Sequence, residues 1–196
     1  MAKETIIFVL QLYFIMMMGI GFPLVHSYTP KDPESVEKWF DNLPTLKQKS
    51  TKLRFFYHDV ISGKNPSTVT VAQSNNTLQS PTFFGLVEVI DAPLTVGPEP
   101  DSQIIGRAQG IYVLASLEEL SLFMSFNLVF TDGMYNGSTL SVLGHNPIFH
   151  KYREMAIVGG SGVFRLARGI AATRTVWLNL TTGDGVSEYH VVALHH

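Results

Sequence analysis

Turn-forming residues interrupt the chain at short intervals from Leu53 onward: Gly63, Asn75-Asn76, the Pro93–Pro100 run, Asp132-Gly133, Gly144, Gly159-Gly160 and Thr182-Gly183-Asp184-Gly185. The stretches between them alternate apolar and polar residues and are rich in Val, Ile, Phe and Tyr, which is the pattern of half-buried strands. Strands are expected at Leu53–Val60, Val69–Ala72, Phe83–Ile90, Ile104–Leu114, Leu122–Thr131, Leu140–Leu143, Met155–Val158, Val163–Ala167, Thr173–Leu178 and Val186–Leu194. Merging neighbouring runs leaves eight. With no internal repeat and no long helical pattern, the predicted class is all-β, an eight-stranded antiparallel β-barrel over 53–196. Closure also removes the exposed edges on which strand proteins aggregate.

At 196 residues the chain holds one full domain and no second one. Its 14 basic and 16 acidic residues are spread without blocks, which excludes a nucleic-acid or anionic-membrane footprint. The absence of cysteine removes disulfides, thiolate metal ligands and thiol nucleophiles together. Residues 1–27 run from Lys3 through an apolar stretch to Pro23-Leu24-Val25-His26-Ser27, the order of parts in a secretory signal, with cleavage expected near Ser27/Tyr28. Three sequons agree with export, at Asn75, Asn136 and Asn179. Residues 28–52 read as an N-terminal arm in which Asp32-Pro33-Glu34 opens a short helix that Pro44 stops, its apolar face formed by Val36, Trp39, Phe40 and Leu43.

The strand 53–60 places Leu53, Phe55, Tyr57 and Asp59 on one face and Arg54, Phe56 and His58 on the other. Asp59 then either shares a face with bulky apolar groups or lies past the strand end and caps the turn toward Gly63. Other chemistries fail on spacing. Gly159-Gly160-Ser161-Gly162 lacks the Lys-Ser/Thr of a phosphate loop and reads as a tight turn or bulge. The histidines at 58, 145, 150, 190, 195 and 196 form no metal motif, so neither a metal nor another cofactor is expected. What remains is an acid, a phenol and cations among aromatics: Asp59, Tyr112, Arg153, Arg165 and Arg168, with Phe55, Tyr57, Phe126 and Phe164. A carboxyl in an apolar cavity has its pKa raised and exchanges protons with a phenolic substrate, whereas an Asp–Arg pair would only brace a barrel end.

Six segments carry a family resemblance: Phe56-Tyr57-His58-Asp59, Asp91 to Pro98, Gly106 to Tyr112, Tyr135 to Leu140, Arg153 to Gly160 and Phe164 to Gly169. In this order they resemble plant dirigent proteins across the whole chain after the leader. The resemblance implies a barrel of the allene oxide cyclase type, commonly a homotrimer, glycosylated and secreted to the apoplast. It also implies control of phenolic intermediates without a redox centre of its own. The partner is then a phenolic small molecule, joined by a separate oxidase or laccase where radicals are coupled, while pterocarpan-forming members dehydrate an isoflavanol unaided. A non-catalytic defence or cell-wall binding role is the remaining alternative.

Matched to the family's motifs, Asp59, Tyr112 and Arg153 stand at the catalytic positions. His145 and Asn146 occupy a place where lignan-forming members carry an acid, and Leu114 one where they often carry a second tyrosine. Leu114, Phe126, His145 and Asn146 are therefore the expected substrate-binding residues. The departures at 114 and 146 point to the broader branch that includes pterocarpan-forming members.

Overall fold

The computed structural model describes residues 32–196. The leader expected at 1–27 and its cleavage site lie outside the described residues. Helix α1 (Pro33–Asp41) begins as anticipated: the Asp32 carboxylate accepts from the Ser35 N–H at 3.0 Å, Pro33 occupies the first turn, and Glu34 pairs with Lys38 at 2.8 Å. Pro44 lies in the 3-10 turn Leu43–Thr45 that follows. None of the residues of α1 is buried, and Trp39 meets the barrel through the Arg165 guanidinium, 5.2 Å above its ring.

Nine strands follow: β1 (Lys49–Asp59), β2 (Thr68–Ala72), β3 (Val87–Thr95), β4 (Ile104–Leu114), β5 (Ser121–Phe130), β6 (Thr139–Pro147), β7 (Arg153–Ser161), β8 (Arg168–Leu178) and β9 (Gly185–His195). All pairings are antiparallel. From β3 to β9 each strand pairs with its successor, and β9 pairs with β1 along its full length. β1 also meets β3 at Phe56↔Thr95 and Tyr57↔Leu94, which closes an eight-stranded barrel. The short β2 is the ninth strand: where β1 ends, it takes over pairing with the first half of β3.

Several boundaries differ from expectation. β1 starts at Lys49, inside the expected arm, because the ladder to β9 continues to Lys49↔His195. The expected strand 83–90 begins only at Val87 and runs on through Pro93 to Thr95, since β4 supplies a partner for every residue of it. Residues 163–167 form no strand. Gly162, at φ +63°, opens a 3-10 turn through Phe164, and that ring swings into the core. Gly144 and Gly159-Gly160 are not turns but lie within β6 and β7, and the register slips between Ser141 and Val142 opposite Gly159, the bulge reading of that pair.

Strand alternation fills the lower barrel. Phe55 stacks on Tyr189 at 5.6 Å, with Phe126 edge-on to the same ring at 6.5 Å. Phe130, Tyr135, Phe164 and His195 then close one end, with centroid separations of 5.0 to 5.9 Å. Each aromatic buried this way contributes about 1.5–3 kcal/mol of hydrophobic stabilisation. The opposite end is left open.

Candidate active site

The open end holds a cavity of about 400 Å³, within the usual range of about 300–1,000 Å³ for small-ligand sites. Leu86, Leu114, Leu120, Leu122 and Met124 supply its apolar lining, and loop residues Ile61, Phe149 and Leu180 rim the mouth. Its polar groups divide between two walls. One wall is built by β1, β2, β3 and β4, the other by β6, β7 and β8.

On the first wall, the last residue of β1 turns inward as the alternation of Phe55, Tyr57 and Asp59 dictates, so Asp59 faces the cavity rather than capping the turn. One carboxyl oxygen accepts a short hydrogen bond from the Thr68 hydroxyl on β2, and the other lies 3.5 Å from the Tyr112 hydroxyl. Tyr112 donates at 2.7 Å to Glu88, a β3 carboxylate only 4% exposed, whose second oxygen accepts from Thr70 at 2.6 Å. Burial, reinforced by the like charge of Glu88, pushes the Asp59 carboxyl up to about 6 against the pull of its hydrogen bonds. Burial and the neighbouring carboxylates also drive the Tyr112 phenol far above its ordinary value, so it stays protonated. Burial raises the pKa of the Tyr57 phenol too.

On the second wall, Arg153 is 6% exposed. Its guanidinium donates to the Asn146 side-chain oxygen at 3.0 Å, to Thr175 Oγ1 at 2.9 Å and to the His150 carbonyl at 3.3 Å. Burial lowers its pKa. Among the described residues no carboxylate pairs with it, so the Asp–Arg brace is absent. A buried cation held only by neutral acceptors is an electrostatic seat for an anionic oxygen.

Of the expected site residues, Asp59, Tyr112, Arg153, Leu114 and Asn146 share this cavity. His145 does not: adjacent strand residues point to opposite faces, and with Asn146 turned inward His145 lies outside, 3.4 Å from Glu119. Phe126 faces inward but too deep, beneath the cavity floor against Tyr189. Arg165 sits over Trp39, Arg168 is exposed, and Phe164 belongs to the closed end. Glu88 escaped the sequence reading, although the alternation Val87, Glu88, Val89, Ile90 sets it on the inward face with Ile90. Among the described residues no group of three His, Cys, Asp or Glu side chains is placed to hold a metal ion.

Sequence and structure comparisons agree with this fold. The family model described as Dirigent-like protein matches residues 50–194. Dirigent protein 23 of Arabidopsis thaliana is 42% identical over 196 residues, covering 100% of both chains. Pterocarpan synthase 1 of Glycine max is 49% identical over 158 residues, 78% of this chain and 85% of that one. The solved structure of the pterocarpan synthase dirigent protein GePTS1 superposes with a TM-score of 0.72 at 46% identity, covering 77% of this chain and 87% of the other. A closed barrel, a cavity at one end and a match along nearly all of the described residues lead to one conclusion: the chain belongs to the plant dirigent family.

Proposed function

We propose that this chain directs the stereoselective closure of a quinone methide, dehydrating an isoflavanol to a pterocarpan. One observation carries the reading: an acid raised to about 6 and a protonated phenol on one cavity wall face, on the other, a buried arginine that among the described residues has no counter-ion. The similarity to pterocarpan synthases from Glycine max and Glycyrrhiza echinata supports the choice of substrate class.

The chemistry balances without an oxidant. A 2′,7-dihydroxyisoflavan-4-ol binds with its 7-phenol, which is para to the ring carbon that bears C4, ionised against Arg153. Asp59 donates its proton to the C4 hydroxyl, the C4–O bond breaks, and water leaves as the phenolate electrons close the quinone methide. The 2′-hydroxyl then adds to C4 and returns its proton to Asp59, while the ring oxygen regains its negative charge beside Arg153. One water is lost and the acid is regenerated. Tyr112 hydrogen-bonds the departing and arriving oxygens, and Asn146 and Leu114 shape the slot that selects one face of C4.

Racemic 2′,7-dihydroxyisoflavan-4-ol, incubated with the protein and no oxidant, tests this by chiral chromatography. Enantioselective pterocarpan above the buffer control is expected. No product would overturn the dehydratase reading, and altered handedness of oxidase-generated phenoxy-radical products would then assign radical coupling. Asp59→Asn separates catalysis from mere binding, because a binding protein has no turnover to lose.

The family also supports secretion to the apoplast and assembly into a homotrimer. Among the described residues no helix is long and apolar enough to cross a membrane. On the barrel exterior Val69, Val89, Ile111 and Leu143 lie in one cross-strand row with exposures of 38–46%, an apolar face suited to a second copy of the chain. Asn75, on an exposed turn, is the best placed of the three sequons for a glycan.

A further inference from the structure

We propose that Glu88 is a positioning residue that tunes the proton state of the site: by taking the hydrogen bond of Tyr112 it turns the phenol oxygen toward Asp59 and makes that carboxyl hold its proton more firmly. This rests on the reading of Asp59 as the proton donor.

A phenol has one proton to give. The Tyr112 hydroxyl lies 2.7 Å from Glu88 Oε2 and 3.5 Å from Asp59 Oδ2, so the proton points to Glu88. The phenol oxygen then presents lone pairs to Asp59. An ionised Asp59 would be repelled by them, whereas a carboxylic acid at Oδ2 can donate to the phenol oxygen or to a bound substrate. Thr68 donates to the other Asp59 oxygen, leaving Oδ2 as the place for the proton. Glu88 cannot exchange roles with Asp59 easily. Both of its oxygens already accept, one from Tyr112 and one from Thr70 at 2.6 Å, so neither is free to take up a donor role. Among the described residues Glu88 has no salt-bridge partner.

The other groups around Asp59 leave this assignment intact. Tyr57 on β1, Tyr112 on β4 and Tyr189 on β9 are phenols raised above their ordinary range by burial and remain neutral. Asp184, in the β8–β9 turn, is ionised and adds a second like charge. Arg153, across the cavity, is held by Asn146 and Thr175 and forms no ion pair with Asp59. Glu88 is thus the carboxylate that shares a bridging phenol with the acid. Two carboxyls so joined hold one proton more firmly than either alone.

The test is a direct titration of Asp59 in the full folded chain labelled with 13C at aspartate carboxyls, with Asp59→Asn assigning the resonance. In wild type its midpoint is expected near 6. In Glu88→Gln, which removes the charge and keeps the shape, the midpoint should fall by about 0.5 pH unit or more. Thr70→Val, which loosens Glu88 without changing charge, should move it less. Where the Gln variant does not fold, Glu88→Met fills the same volume without the charge. An unchanged or higher midpoint in a folded, uncharged variant overturns the proposal. The loss of activity with rising pH should shift downward in parallel. A shifted titration in a protein that forms no pterocarpan would sink the dehydratase reading while leaving the role of Glu88 standing.

Discussion

The two ends of the barrel share strands and alternation, yet one is filled with aromatics and the other left open around titratable groups. At the closed end Phe130, Tyr135 and Phe164 pack ring against ring, and the His195 imidazole meets both the Phe164 ring and Thr51, with Nε2 2.9 Å from the hydroxyl. At the open end Asp59, Glu88 and Arg153 are withdrawn from water, and among the described residues none of them forms an ion pair. A third buried carboxylate shows what a purely structural solution looks like. Glu188, on the barrel exterior, would be raised by burial, but hydrogen bonds from Arg54, Arg174 and His190 hold it at about 2. Stability and reactivity are therefore separated along the barrel axis. The open end keeps desolvated charge that the closed end and the outer wall do not tolerate.

Four substitutions probe that separation, taken from the largest expected effect. Asp59→Asn should lower pterocarpan formation by about 10²–10⁴-fold, the usual worth of a general acid, read by single-turnover chromatography. The same variant should be more stable than wild type at pH 7. Between 3.8 and about 6 the native state binds the Asp59 proton and the unfolded state does not, so wild-type stability falls as pH rises through that window. The gap is worth at most about 3 kcal/mol, which denaturant titrations at pH 4 and pH 7 would expose. A variant that lost stability at pH 7 would break the contrast between the two ends.

Phe164→Ala, at the closed end, should cost about 3–5 kcal/mol in unfolding free energy, leaving the product handedness of the folded fraction unchanged. Arg153→Met should raise KM for 2′,7-dihydroxyisoflavan-4-ol by at least about tenfold, the loss of one hydrogen bond to a charged oxygen, with little change in melting temperature. The smallest effect belongs to the mouth. Asp184 accepts from the Ile61 and Ser62 N–H groups at 2.8 and 2.9 Å and from the Ser62 and Thr182 hydroxyls, tying the loop after β1 to the turn before β9. Asp184→Asn should cost about 1 kcal/mol and speed hydrogen exchange at Ile61 and Ser62. Those bonds hold the Asp184 carboxyl at about 2, so their contribution is present above 3.8 and lost as pH falls from there toward 2.

Sequence alone determined the all-β class, the antiparallel closure and the inward faces of the strands, because a period of two is a local property that survives any arrangement of neighbours. It also determined the family, through segments spread over the whole barrel, and through the family's motifs it named Asp59, Tyr112 and Arg153. Depth along the axis was decided elsewhere. Phe126 and Asn146 both face inward, but strand stagger sets one below the floor and the other in the cavity. Glu88 meets the Tyr112 hydroxyl as its partner across the β3–β4 ladder, but only closure brings Asp59 from β1 to the same hydroxyl, 53 residues away in sequence. No local pattern encodes such distances. The proton state of the site is for that reason a product of tertiary structure, fixed by where the barrel shuts.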